Sequence, residues 1–302
     1  MEVYLTILGN SSASPTIDRN QSGQLLKMGS THILIDCGEG TQSRLMKYKQ
    51  SYHKIDIILI SHLHGDHYLG LFGLLNTMSL NGRTRPLNLF APKGLREVIK
   101  MHFSLSNTTL TYELNIKEIG EDELLYSTNR LEIKAYVVEH RIPCFSFLIQ
   151  ELNVQRKLNV DECQKLNIGQ QYYNSIKEGQ DVVLQDGIII PNEQLSFDPE
   201  PPFSYGYITD TIYLERLIPN FYGVQVLYHE ATFLDNLIDR AKIAFHSTAE
   251  QAGQFANKAL VSQLLIGHFS SRYRDLSDHL NEAQKIFTRT ELALEGQTFQ
   301  FK

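Results

Sequence analysis

The residues with the clearest chemical meaning in this chain are His62-Leu63-His64-Gly65-Asp66-His67. They directly follow the apolar run Ile55-Asp56-Ile57-Ile58-Leu59-Ile60, which reads as a buried strand. Neutral imidazoles and a carboxylate are ligands for zinc or manganese. For four such donors to converge on one point the backbone must turn sharply, and Gly65 permits such a turn. The hexapeptide is therefore expected to be half of a metal site.

Further donors are expected where other apolar strands end. His140 follows Leu131–Val138, Asp210 follows Tyr205–Ile208, and His268 follows Leu260–Ile266 after a single glycine. Together these make seven candidate metal ligands: His62, His64, Asp66, His67, His140, Asp210 and His268. Seven donors exceed the needs of one zinc and suit two ions sharing Asp210, about 3.5–4 Å apart. His246, in Phe245-His246-Ser247-Thr248, is a candidate proton donor, and Glu230, in His229-Glu230-Ala231-Thr232, is a candidate to orient it. Arg272 and Arg274, close after His268, are candidate phosphate contacts, with Lys93 and Arg96 weaker ones. His32, His53, His102 and His279 lack a comparable setting and read as structural.

The elements needed to position these side chains are legible as alternating strands and helices. Strands are expected at Val3–Leu8, Gln24–Met28, His32–Ile35, Ile55–Ile60, Leu87–Phe90, Thr111–Lys117, Leu131–Val138 and Phe145–Glu151, with a hairpin turn at Gly29-Ser30. Helices are expected at Thr41–Lys49, Leu69–Leu80 and Gly94–Phe103. The second half repeats the pattern, with strands at Tyr205–Ile208, Val224–Tyr228, Leu260–Ile266 and a closing strand Leu292–Phe301. Helices are expected there at Ser247–Lys258 and Leu276–Thr288. The class is α/β (α+β): two packed sheets with helices on their outer faces. Residues 150–202 interrupt the pattern and read as an inserted arm with a helix near Val160–Leu166, within a single domain spanning 1–302.

Composition narrows the setting. The net charge of −6 does not advertise a nucleic-acid binder, and the arm carries most of the deficit, with nine acidic against four basic residues between 150 and 200. No apolar run approaches the roughly 20 residues of a membrane span. Cys37, Cys144 and Cys163 are scattered and odd in number, which argues against a disulfide framework and for a reducing, cytoplasmic location.

Beyond the histidine hexapeptide, which resembles the signature of metallo-β-lactamase-fold hydrolases, four segments narrow the likeness. They are Asp36-Cys37-Gly38-Glu39-Gly40-Thr41-Gln42, His229-Glu230-Ala231-Thr232, Phe245-His246-Ser247-Thr248 and His268-Phe269-Ser270-Ser271-Arg272-Tyr273. This set is similar to that of the ribonuclease Z family, the tRNA 3′-processing endonucleases. The resemblance implies a four-layer αβ/βα sandwich with His62, His64 and His140 on one zinc, Asp66, His67 and His268 on the other, and Asp210 bridging. It implies that Asp66 accepts the proton of the attacking water and that His246, helped by Glu230, serves the leaving oxygen. It further implies a homodimer acting on precursor tRNA, with the arm clamping the tRNA body. The arm differs from the family in two respects: it is acidic, and Ile168-Gly169-Gln170-Gln171-Tyr172-Tyr173 lacks the Gly-Pro element.

The expected reaction is phosphodiester hydrolysis assisted by two zinc ions, or manganese in their place, leaving a 3′ hydroxyl on the tRNA and a 5′ phosphate on the trailer. The rival readings are another hydrolase of the same fold, acting on a small phosphodiester, thioester or lactone, and a non-catalytic metal-dependent RNA-binding module. A structural zinc protein fits least, because structural sites favour four closed ligands, often cysteine.

Overall fold

The computed structural model describes residues 2–184 and 186–301; Met1, Gln185 and Lys302, which the expected 1–302 domain and its arm include, lie outside the described residues. The chain enters a first sheet with β1 (Val3–Gly9), β2 (Gly23–Met28), β3 (Thr31–Cys37), β4 (Ile55–Leu59), β5 (Leu87–Pro92) and β6 (Leu114–Ile119). It then builds a second sheet from β7 (Glu123–Ser127), β8 (Leu131–Val138), β9 (Cys144–Glu151), β10 (Ser204–Ile208), β11 (Val226–Glu230), β12 (Gln263–Gly267) and β13 (Thr290–Leu292). A last strand, β14 (Thr298–Gln300), returns to the first sheet. The orders are β14-β1-β2-β3-β4-β5-β6 and β13-β12-β11-β10-β9-β8-β7. From β3 to β6 and from β10 to β13 the pairings are parallel.

Parallel strands are usually buried on both faces, so their sequences read as continuous apolar runs. Leu34, Ile58 and Leu89 share a core with the helices Thr41–Lys47, Leu71–Leu80 and Leu95–Leu105. Ile33, Ile35, Ile57 and Leu59 point to the other face and are equally buried. In the second sheet Ile208, Leu227, Leu264 and Ile266 pack with the helices Ala249–Lys258 and Ser277–Ile286. Each fully buried aliphatic side chain contributes about 1.5–3 kcal/mol. Between the two sheets, Tyr205 and Tyr207 of β10 donate to Gln24 of β2 and Asp36 of β3. The result is the expected αβ/βα sandwich.

The chain divides into two compact units. Met1–Leu125, Ile133–Leu148 and Tyr205–Lys302 form the first; Tyr126–Glu132 and Ile149–Ser204 form the second. The second unit has a small core of Cys163, Ile168, Ile176, Val182, Ile190 and Leu195. Its helix Val160–Lys165 starts at Asn159, whose side chain accepts from the Glu162 amide.

Three expectations change. The closing strand is two short strands, β13 and β14, in different sheets, separated by a turn at Gly296 with φ +86°. The helix expected from Leu69 is preceded by a short helix at Gly65–Tyr68. Gly65 accordingly lacks the positive φ that a turn glycine provides; the room it leaves is for Leu69, whose Cδ1 would lie 2.8 Å from an added Cβ. Finally, β7 and the helix Ile238–Ala244 were not anticipated. No helix is long and apolar enough to cross a membrane among the described residues.

His279 is structural, as expected, and its setting makes the fold acid-sensitive. It is fully buried, edge-on to Tyr273 and Phe269, and neither ring nitrogen has a hydrogen-bond partner among the described residues. Burial, with the Arg19 charge adding to it, pushes the imidazole down to about 4. The unfolded chain therefore binds the proton first, and stability falls as pH drops from about 6.5 towards 4, at up to 1.36 kcal/mol per unit. For the metal-free protein, His279→Phe should flatten the loss of urea midpoint between pH 7 and pH 5. An unchanged pH dependence would assign the acid sensitivity elsewhere.

Candidate metal centre

Ligand sites in open parallel sheets form beyond the carboxyl ends of the strands, and the candidate residues of this chain gather there. Asp36 ends β3, the hexapeptide follows β4, Asp210 follows β10, Glu230 ends β11 and His268 follows β12. In the second sheet Ile208 is level with His229, and His229 with Ile266, so Asp210, Glu230 and His268 emerge at one height. His140 follows β8 and donates from Nδ1 to the Phe245 carbonyl, 3.0 Å away.

The seven donors form two groups rather than one. His62 Nε2 and His140 Nε2 each lie 3.1 Å from His64 Nδ1, and 3.7 and 3.9 Å from Asp210 Oδ2. His67 Nε2 and His268 Nε2 lie 3.3 and 3.6 Å from Asp66 Oδ2, and 3.6 and 3.3 Å from Asp210 Oδ1. Asp210 thus faces one group with each oxygen. For ligand bonds of 2.0–2.1 Å, tetrahedral geometry puts donors about 3.3–3.4 Å apart, which is close to these spacings.

Other observations show that the residues fit a cation. His67 Nε2 and His268 Nε2 are buried with no hydrogen-bond partner, an arrangement that is costly unless something else takes their lone pairs. Burial keeps His62 well below its ordinary value, so its lone pair is available. Burial also opposes charge on His67, but Asp210, Asp66 and Asp36 outweigh it and push that imidazole well up. So many buried carboxylates around one imidazole leave an excess of negative charge that a divalent ion would neutralise.

Several supporting residues were not assigned from the sequence. Asp36, fully buried at φ +55°, accepts from His67 Nδ1 at 2.8 Å, from the Ser61 amide and hydroxyl, and from Tyr207. Thr232 bridges His268 Nδ1, at 3.0 Å, to Glu230 Oε2. The Ala13 amide donates to Asp66 Oδ2 at 2.8 Å. Asp36 could have been found by the rule that found Asp210, a polar group closing an apolar strand. Thr232 and Ala13 give no such signal. The left-handed backbone of Asp36 and of His268, at φ +59°, costs roughly 1–2 kcal/mol each.

His246 stands beside the groups, with its Nδ1 2.9 Å from Glu230 Oε1. Glu230 also accepts from the amides of Thr211 and Thr232. Burial opposes ionisation of both, yet each charge sustains the other: Glu230 is held below the ordinary carboxylate value and His246 is pushed up to about 9. His229, by contrast, turns its ring onto Phe255 and takes no part. Thr248 caps the following helix in a capping box with Gln251.

A cleft of about 460 Å³ lies over the donors, lined by residues that include Gln21, Asp66, His140, Arg141, Asp210 and His246. Arg141, missed in the sequence, is the arginine on its wall. Arg272 and Arg274 do not line it: both are exposed, Arg272 lying over the Phe233 ring and Arg274 on a neighbouring cavity with Arg19 and Ser271. Arg96 is engaged with the Ile116 carbonyl.

Comparison with known proteins places the chain in a family. Residues 3–189 match the family model described as Anti-Pycsar protein Apyc1, a stretch that includes the hexapeptide and His140 but stops before Asp210. Ribonuclease Z of Phocaeicola vulgatus is 40% identical over 291 residues, covering 96% of this chain and 94% of the relative. Ribonuclease Z of Cytophaga hutchinsonii is 41% identical over 306 residues, covering 99% and 96%. The crystal structure of the short form of human tRNase Z superposes with a TM-score of 0.72 at 25% identity, covering 98% of both chains. The chain belongs to the ribonuclease Z family of the metallo-β-lactamase fold, and over residues 3–189 also to the family described as Anti-Pycsar protein Apyc1.

Proposed function

We propose that this chain is a metal-dependent endoribonuclease that removes the 3′ trailer from precursor tRNA, with the cleft over Asp66, Asp210 and His246 as its active site. Family membership supports the substrate. The observation that carries the chemistry is Asp210, whose two oxygens each face a separate group of imidazoles. His62, His64 and His140 would hold one divalent ion, and Asp66, His67 and His268 the other, with Asp210 shared. We assign zinc to both positions, with manganese as a substitute. When bound, the ions supply Lewis acidity that lowers the pKa of water and neutralises charge on the phosphoryl group.

The chain's own residues then move the protons. Asp66 is half-buried, its Oδ2 3.3 Å from His67 Nε2 and 3.6 Å from His268 Nε2, and the neighbouring imidazoles, His67 foremost, hold it below the ordinary carboxylate range. We assign it the proton of the attacking water from its place on the cleft, where the Ala13 amide fixes its orientation. The water attacks phosphorus in line with the departing ribose 3′ oxygen. His246, tied through Nδ1 to Glu230, keeps Nε2 for that oxygen and donates its proton as the P–O bond breaks. The tRNA leaves with a 3′ hydroxyl and the trailer with a 5′ phosphate. Arg141 is positioned to meet a phosphate at the wall of the cleft.

We further assign tRNA docking to the inserted arm, residues 150–202, and a homodimer as the working form, both on the strength of the family resemblance. The buried, unpaired Cys37, Cys144 and Cys163 suit a reducing cytoplasm. Cleavage of a precursor tRNA with both product ends mapped tests the reading, run beside a chromogenic phosphodiester. Removing the arm should abolish trailer removal while the small ester is still hydrolysed. Hydrolysis of the small ester by the full chain without trailer removal would overturn the proposed substrate.

A further inference from the structure

We propose that Tyr207 is a positioning residue for the metal centre: its hydroxyl crosses from β10 to the opposite sheet and fixes the carboxylate that orients the His67 imidazole. The inference rests on the seven-donor reading of the site.

Asp36 Oδ2 accepts from three donors at once: Tyr207 Oη at 2.7 Å, His67 Nδ1 at 2.8 Å and Ser61 Oγ at 2.9 Å. Oδ1 accepts the Ser61 amide at 2.8 Å. Crowding three donors onto one oxygen leaves the carboxylate little freedom to rotate. The Asp36 backbone is in the left-handed region and offers no easy adjustment. Tyr207 is itself immobilised: it is 2% exposed and stacked between Tyr228, at 5.0 Å and 12°, and Phe147, at 6.4 Å and 15°. Core packing therefore sets the position of its hydroxyl, the hydroxyl sets Asp36, and Asp36 aims His67 Nε2 towards Asp66 and Asp210. Partners that orient a ligating imidazole typically govern metal affinity by 10–100-fold.

The same strand supplies a matched control. Tyr205, two residues earlier and thus on the same face, is also fully buried and also crosses the sandwich. Its acceptor is Gln24, which has no hydrogen bond to any of the seven donors among the described residues. Tyr205→Phe and Tyr207→Phe each remove one inter-sheet hydrogen bond, to a carboxamide and to a carboxylate, and only the second reaches the centre.

The test is the Co²⁺ dissociation constant of the metal-free full-length chain, followed by the visible absorption of the bound ion in competition with a chelator. Tyr207→Phe should weaken Co²⁺ binding about tenfold and alter the absorption envelope, while Tyr205→Phe leaves both at the parent values. Asp36→Asn should weaken binding at least as much, and adding Tyr207→Phe to it should cost nothing more, because both act through one carboxylate. Equal effects of the two tyrosine variants, or additive losses in the double variant, would overturn the proposal. A parent chain that binds no Co²⁺ would instead overturn the site reading. If Tyr207→Phe does not fold, ¹³Cζ-tyrosine labelling of the parent answers the question: the Tyr207 resonance should move on metal binding and that of Tyr205 should not. Two unmoved resonances would refute the coupling.

Discussion

His246→Ala should lower the turnover of precursor tRNA by roughly 10²–10⁴-fold, about 2.7–5.4 kcal/mol of barrier, while the bound metal stays at the parent level. The separation of the two readouts follows from geometry. His246 lies near Asp210 and His268, but its Nδ1 is tied to Glu230, which is in neither group of donors, so its loss should remove a proton without removing an assigned ligand. Its pH signature has a definite sign. Glu230 beside it holds the imidazole above its ordinary value, so a rate that needs the acid form should be lost on the alkaline side rather than the acid side. Glu230→Gln removes the larger of the charges that sustain the proton and leaves Asp210 alone against burial, so the alkaline limb should move to lower pH. Metal loss parallel to activity loss in His246→Ala would sink the proton-donor role. An unmoved alkaline limb in Glu230→Gln would detach Glu230 from it.

Asp210→Ala is expected to have the larger effect on the centre itself. Each oxygen of Asp210 lies within 4 Å of two imidazole nitrogens of a different group. A single truncation therefore weakens both positions, and affinity should fall by more than the 10–100-fold typical of outer partners. Metal stabilisation offers a second readout. An ion at a hundred times its dissociation constant raises folding stability by about 2.7 kcal/mol, visible as a rise in Tm on adding zinc. The parent should show this rise and Asp210→Ala should lose most of it. Two zinc ions per variant chain by elemental analysis would refute the shared ligand.

How legible these features were depended on whether the signal was local. Leu131–Val138 was readable to the residue because it alternates, with Leu131, Ile133 and Ala135 buried and Glu132, Lys134 and Tyr136 less so. The donors were readable because polar side chains at the ends of apolar runs are rare in loops without a task. The split of the closing strand was not readable: Thr290–Leu292 and Thr298–Gln300 look alike locally, and only their partners, β12 and β1, assign them to different sheets. β7 was missed because at a sheet edge it buries only Leu125, too little apolar pattern to distinguish it from a loop. Arg141 was missed because nothing local tells a cleft wall from ordinary surface.

The strand ends that converge on Asp210 also have a consequence for synthesis. The candidate ligands span residues 62 to 268 of 302, so the centre draws on donors far apart in the polypeptide. Contacts of such separation form late, because the intervening chain must first be ordered. A ribosome that has delivered every donor but His268 has made most of the candidate site without its last donor. Completion of the second group is thus tied to emergence of β12 from the exit tunnel. A product truncated before His268 would hold at most one set of candidate donors intact, so the order in which the residues are made would leave an unfinished chain without the second group.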